Sequence, residues 1–380
     1  MTGVSHRAAK SFPKTEKESH CCSVPLRVFL FFSLLVLLGC ARMQNAPPGE
    51  PVVEQVTAEK AEEHIAEDST VDGLDDGRLE EPGETSSTKP RFAVIPPNAR
   101  PGEPVTVGYS DNFEGENRSF QAVLLDSRGR QVTRAFFFNM DRLEGEPALL
   151  AAVFAVPSTV LIGNAVIRVE SGEEIIGEIP FLIDHREFRS ETIALNQANT
   201  DLRTRPDPQR TAEAEQLWAI LNRTGTVVYS NGPMIPPLTS TRRTSLYGSR
   251  RVYEYADGRS DTTIHAGVDY GVPTGTEITA SAAGRVALAR NRIITGHTVI
   301  LEHLPGLYSL YYHLDSIAVS EGSLVEPGTY LGASGATGLA TGPHLHWEIR
   351  VSGENADPDA FLSRPVLDKN EILNKLGIAN

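Results

Sequence analysis

Toward its C-terminal end the chain alternates strictly between polar and apolar residues over His344-Leu-His-Trp-Glu-Ile-Arg-Val351. That two-residue period is the mark of a half-buried strand. His344, His346, Glu348 and Arg350 share one face, and Leu345, Trp347, Ile349 and Val351 point into a core on the other. Ser309-Leu-Tyr-Tyr-His-Leu314 alternates as well, setting Tyr311 and His313 against Leu310, Tyr312 and Leu314. Further short strands are expected over 276–280, 284–289, 298–302 and 330–334, parted by turns containing Gly and Pro, with no amphipathic helix among them. An antiparallel sheet or partly closed barrel with an open groove is expected over 241–364, followed by a tail over 365–380.

Upstream, apolar runs at 92–95, 104–109, 120–125, 148–154, 164–169 and 178–183 recur with the spacing of a β-sandwich, which places a second unit at 91–188. Its lead-in Arg100-Pro-Gly-Glu-Pro104 resembles that of bacterial immunoglobulin-like domains. No catalytic constellation appears in it; it reads as a spacer, with glycan or partner binding as the alternative. Between the units, a linker over 189–240 contains one helix. Asp207-Pro208 supplies its N-cap and first residue, and Ala214, Leu217, Trp218 and Leu221 recur at helical spacing, a stripe suited to docking on a β-domain. The fold class is mainly β.

Chemistry concentrates in the C-terminal unit. His265 and Asp269 stand four apart in Ile264-His-Ala-Gly-Val-Asp-Tyr-Gly-Val-Pro273, where two glycines and a proline argue for strand and turn rather than helix. In an extended segment such positions share a face. Zinc takes about four ligands and, in catalytic sites, keeps one position for water. Read with the imidazoles of His344 and His346, these residues make a metal site with that position free: one of the two strand histidines can hold the metal while the other stands beside it. Glu348 either holds a histidine tautomer from behind or is solvated at the strand end. Tyr312 reads as packing and Tyr311 as a groove residue. His297 and His303 flank 298–302 without defined partners and read as structural or surface residues.

His265-x3-Asp269, Tyr312-His-Leu314 and Gly342-Pro-His-Leu-His-Trp-Glu348, in this order and spacing, resemble the lysostaphin-type (LytM-like) zinc endopeptidases that cut peptidoglycan peptides. The resemblance runs from about Thr244 to Pro358. It implies a β-rich peptidase domain at 241–364, zinc ligands at His265, Asp269 and His346, and non-ligand catalytic histidines at His313 and His344. Regulatory relatives that activate amidases usually lack some of these ligands, and here the set is complete. The glycine-rich run 332–342 lacks the strand-to-helix setting and the Lys of a phosphate loop; its glycines are expected to let a peptide backbone approach the site.

The start of the chain indicates where this chemistry would take place. Arg7, Lys10, Lys14, Lys17 and Arg27 precede the apolar run Val28–Leu38, too short for a bilayer span of about 20 residues. This is an export signal over 1–39, and Leu37-Leu-Gly-Cys40 resembles the lipobox of bacterial lipoproteins, with Cys40 lipidated. Cys21 and Cys22 would leave with the signal, so no internal disulfide is expected. Residues 40–90 hold 13 acidic and 4 basic residues, a net −9 of the chain's −14, and read as a disordered acidic tether with a reach of roughly 40 Å. The signal contributes +3, so residues 91–380 carry −8, which argues against nucleic acid.

The expectation is therefore an exported zinc endopeptidase, lipid-anchored at the extracytoplasmic face, with peptidoglycan peptides as substrate; the alternative is a wall-binding scaffold that activates an amidase. The rigid segment Asn231-Gly-Pro-Met-Ile-Pro-Pro237 is expected to lie over the groove and restrain activity, and there is room for a regulatory protein partner.

Overall fold

The computed structural model describes residues 92–111, 119–140, 148–223 and 225–378. The signal over 1–39, Cys40 and the tether over 40–90 lie outside these described residues.

The first two sheets enclose a core of their own. One runs Phe92–Ile95, Pro104–Asp111, Ala148–Ala155, Phe138–Asn139; the other runs Asn98–Ala99, Glu174–Ile183, Gly163–Ser171, Phe120–Leu125, Gln131–Phe136. Val105, Leu124, Phe154, Ile167 and Phe181 meet between them. The strand Ala148–Ala155 is buried on both faces. Ala152 and Phe154 enter the sandwich, whereas Ala151, Val153 and Ala155 join the core of the C-terminal unit. Two-sided burial explains why this segment is an almost unbroken apolar run rather than an alternating one. Ser352 Oγ donates to the Val153 carbonyl at 2.7 Å across the junction. The sandwich is thus packed onto the C-terminal unit rather than held off as a spacer.

The C-terminal unit is built on a large antiparallel sheet. Its main path runs Arg243–Ser245, Gly267–Tyr270, Leu345–Val351, Leu307–Ile317, Gly296–Leu304, Gly284–Arg292, Leu324–Val325. Leu345, Trp347, Ile349 and Val351 fill the core beneath it with Val268, Tyr270, Val299 and Tyr311. Within the expected tail over 365–380, the described residues 365–378 are not loose. They include a helix (Lys369–Leu376) capped by Asp368, and its buried Ile372 and Leu376 pack against the strands Phe92–Ile95 and Pro104–Asp111.

The segment read as a linker is structural throughout. Its strand Ser190–Ala194 pairs in parallel with Arg250–Glu254, which pairs in turn with Ser260–Ile264. Two helices follow, α1 (Gln197–Thr204) and α2 (Pro208–Leu221). Asp207 caps α2, accepting from the backbone N–H groups of Gln209 and Arg210, with Pro208 in the first turn. Leu217, Ile220 and Leu221 of α2 pack on Leu288, Ile300, Tyr308 and Leu310, so the helix docks on the sheet as its apolar spacing predicts. Trp218 instead stays half exposed, with the Arg350 guanidinium 5.9 Å from its ring. The expectation that 231–237 covers the groove is overturned: Met234 is buried, and the N–H groups of Met234 and Ile235 bond to the carbonyls of Phe361 and Ser281, where they fasten the chain to the sheet. Proline on each side fixes that path, and an apolar Met finds more contact in the core than in a polar groove.

His303 is fully buried, with Nδ1–H donating to the Ala283 carbonyl at 2.8 Å and Nε2 2.7 Å from Ser309 Oγ. His297 is half-buried with Nδ1 2.9 Å from the Asp315 carbonyl. Both histidines therefore hold strands together. Burial pushes the His303 imidazole down to about 4, from 6.5 when exposed. Between those values the unfolded chain binds a proton that the folded protein refuses, so this contribution to stability is complete above pH 6.5 and is lost as pH falls toward 4. The shift corresponds to about 3 kcal/mol at most. Replacing His303→Gln should flatten the fall in unfolding free energy between pH 6.5 and 4 by an amount of that order, measured by urea denaturation; an unchanged pH profile would refute this source.

Candidate metal centre

Two neighbouring strands bring the centre together. Asp269 on Gly267–Tyr270 lies directly opposite His346 on Leu345–Val351 in the antiparallel register, so the two side chains leave the same face side by side. His265 sits just ahead of the first of these strands, tied by its N–H to the Ser249 carbonyl at 2.9 Å and by its own carbonyl to Gly248 N–H. Between His265 and Asp269 stands Gly267, where a Cβ would fall 2.2 Å from the Trp347 carbonyl oxygen. The missing side chain is what lets the two strands close.

His265 Nε2 is 3.1 Å from Asp269 Oδ1 and 3.0 Å from His346 Nδ1, and His346 Nδ1 is 2.8 Å from the same Oδ1. These three atoms form a cluster able to hold a metal ion, and all three residues are buried. The outward atoms fix the tautomers. His265 Nδ1 meets the Leu246 carbonyl at 2.8 Å; a carbonyl only accepts, so Nδ1 carries the proton and Nε2 offers a lone pair inward. His346 Nε2 faces Glu348 Oε2 at 3.3 Å, which leaves Nδ1 as its inward donor. Two imidazole nitrogens and one carboxylate oxygen, each oriented from behind, fit the ligand set of a zinc ion with an open position. Without a cation, burial disfavours charge on His346, but the flanking carboxylates of Asp269 and Glu348 outweigh it and push its pKa up to about 9. Burial likewise opposes ionisation of Asp269, and the histidine hydrogen bonds overcome it, holding the carboxyl well below its ordinary range.

His313 and His344 stand beside the cluster with ring centroids 4.7 Å apart. Each gives its Nδ1 proton to a backbone carbonyl at 2.8 Å, His313 to Thr337 and His344 to Gly342, so Nε2 is the nitrogen that carries the lone pair whenever the ring is neutral. His344 Nε2 lies 3.9 Å from Asp269 Oδ1. Burial, reinforced by the neighbouring histidines, pushes His313 down to about 3, leaving it neutral. All five residues open onto one cavity of about 470 Å³.

Residues 263–358 match the family described as Peptidase family M23. The chain carries an M23 peptidase domain. It is 37% identical over 124 residues to the DD-carboxypeptidase/endopeptidase Mpg of Neisseria meningitidis serogroup B, covering 33% of this chain and 28% of that one. It is 32% identical over 146 residues to the peptidoglycan DD-endopeptidase ShyA of Vibrio cholerae, covering 37% of this chain and 33% of that one. The chain thus spans about a third or less of the length of these relatives. A solved structure of a peptidase M23 candidate from Pseudomonas aeruginosa aligns with 69% of this chain and 93% of its own at 26% identity and a TM-score of 0.47.

Around the M23 domain the structure corrects three readings. Tyr311 is fully buried, its hydroxyl held by Ser281 N–H and Ser309 Oγ, while Tyr312 lines the cavity and stacks on His346 with centroids 5.2 Å apart. The assignment of these two tyrosines is therefore reversed. Tyr312 lies opposite His346 in the sheet and must share its face; His313 reaches that face too because the pairing with Gly296–Leu304 slips next to it, and its φ of 61° re-aims the side chain. Glu348 is buried at 2% exposure between His346 and Arg350, so it backs the histidine and is not solvated. In the glycine run, Gly335 and Gly338 are packed against Asp315 and Gly296, and Gly342 alone borders the cavity with open space where a Cβ would be.

Sequence reasoning missed Arg251, whose Nη2 donates to Asp269 Oδ2 at 2.6 Å, and the cavity wall formed by Ile193, Leu195 and Asn199. Asn199 Nδ2 donates to the Ala340 carbonyl at 3.1 Å, joining that wall to the opposite loop. No motif signals these residues, because their partners are far away in the chain. Gly267→Ala should cost about 1–3 kcal/mol by forcing the two strands apart, read as a lowered urea midpoint, whereas a parent-like midpoint would show that the close approach is dispensable.

Proposed function

We propose that the protein is a zinc-dependent endopeptidase that cuts peptide cross-links or stem peptides of bacterial peptidoglycan from a lipid anchor at Cys40 on the extracytoplasmic face of the membrane. The observation that carries this reading is the convergence of His265, Asp269 and His346 with two further imidazoles in one cavity. The substrate class rests on the relatives, named for DD-endopeptidase activity, two of which are described above.

His265, Asp269 and His346 would hold the ion; bound there, zinc supplies Lewis-acid polarisation of the scissile carbonyl and a water of lowered pKa. The protein's own groups manage the protons. His344 Nε2, close to the ligand cluster, takes the proton from the attacking water as its oxygen bonds to the carbonyl carbon. The proton taken up at His344 Nε2 passes to the leaving amine as the C–N bond breaks, and His313, whose Nε2 presents a lone pair, donates to the oxyanion or the amine only after it has itself taken up a proton. The Nδ1 bonds to Gly342 and Thr337 keep both rings in the tautomer whose Nε2 can take up a proton. Tyr312, stacked on His346, limits the tilt of that ring.

Purified peptidoglycan incubated with the protein should lose cross-linked dimers by mass spectrometry, and a chelator should abolish the loss. His344→Ala should keep stoichiometric zinc and lose turnover by about 10²-fold or more, while His346→Ala should lose both; equal zinc loss in the two would undo the role assignment. A zinc-loaded protein that releases no product would instead favour the amidase-activating scaffold. For the anchor, radiolabelled fatty acid should be incorporated by the parent in bacterial cells and not by Cys40→Ala, and equal labelling would remove it.

A further inference from the structure

The carboxylate of Asp269 is divided between two environments. Oδ1 faces His265 Nε2 and His346 Nδ1, and Oδ2 accepts from Arg251 Nη2 at 2.6 Å. The same Nη2 donates to Ser245 Oγ at 2.8 Å, and Arg251 Nε donates to Glu191 Oε1 at 2.9 Å. Ser245 Oγ in turn donates to Glu191 Oε1 and lies 3.1 Å from His265 Nδ1. A closed circuit therefore links the two sides of the candidate metal centre. The Arg251 and Asp269 side chains are only 12% and 10% exposed, so little solvent competes with these bonds. Glu191 and Arg251 are neighbours across the parallel strands Ser190–Ala194 and Arg250–Glu254. Both lie outside the matched segment 263–358.

We propose that Arg251 and Glu191 are positioning residues for Asp269, so that the metal centre of the M23 domain is completed by two paired strands that precede it. This rests on the metal-binding reading above. Arg251 occupies Oδ2 and leaves Oδ1 as the single inward donor, turned toward the two histidine nitrogens. Glu191 has two tasks: it fixes the arginine fork, and it neutralises a cationic charge that would otherwise repel a divalent ion bound at the adjacent oxygen. His346 has the equivalent support in Glu348 and Arg350, so two of the three ligands are each backed by an acid and an arginine. Lysine cannot replace Arg251, since a single ammonium cannot supply the two separate nitrogens, Nε and Nη2, that reach Glu191, Ser245 and Asp269.

The test is zinc affinity of the full-length protein, measured by competition with a chromophoric chelator, together with the thermal unfolding midpoint of the metal-free form. Arg251→Met and Arg251→Lys should each weaken zinc binding about 10–100-fold, Glu191→Gln should weaken it in the same direction, and Arg290→Met, which removes a surface pair with Glu321, should not change it. The metal-free midpoints of Arg251→Lys and the parent should agree, separating positioning from general stability. Parent-like affinity in Arg251→Met would overturn the proposal and leave the metal reading intact. Should Arg251→Met fail to fold, Arg251→Lys decides in the same way. A parent protein that takes up no stoichiometric zinc would remove the metal reading and this proposal with it.

Discussion

The register between Gly267–Tyr270 and Leu345–Val351 governs the rest of the molecule. It sets Asp269 against His346 on one face and Val268 against Trp347 on the other, so the polar cluster and the apolar core are two sides of the same pairing. Because side chains alternate, a slip of one residue would send the ligand-type residues into the core and the tryptophan into the cavity. The buried Trp347, Ile349 and Val351 oppose any such slip, and the hydrophobic energy of the core thereby fixes the position of the polar groups. Gly267 permits the strands to approach closely enough for this to work.

Around that pairing, each reactive imidazole is aimed by a carbonyl or carboxylate on its far side. Leu246, Thr337 and Gly342 supply backbone carbonyls, and Glu348 supplies a carboxylate. Three of these four acceptors are main-chain atoms whose positions depend on the path of loops and not on which side chain they carry. Substitution at those positions is therefore a weak probe of the site, while changes in loop length would act on it directly.

How legible all this is in the sequence depends on the range of the interactions. His265, Asp269, His344 and His346 belong to short local patterns, and six of the sandwich strands announce themselves by apolar runs. Gln131–Phe136 escaped notice because it is an edge strand with only Thr133 and Ala135 turned inward. Tyr311 and Tyr312 were misassigned because strict alternation assumes an undisturbed strand, and the slip in pairing near His313 is visible only once the neighbouring strand is in place. Arg251 and Glu191 are 60 residues apart, and nothing in either local pattern marks one as the partner of the other.

The strand Ala148–Ala155 carries a consequence for the engineering of this architecture. With one face in the sandwich and the other in the C-terminal core, its alternate residues are committed to different cores, so the strand as a whole belongs to both units. The sandwich is therefore not a cassette that recombination could exchange for another module of similar shape. Excision would leave an apolar sheet face uncovered, a surface prone to self-association.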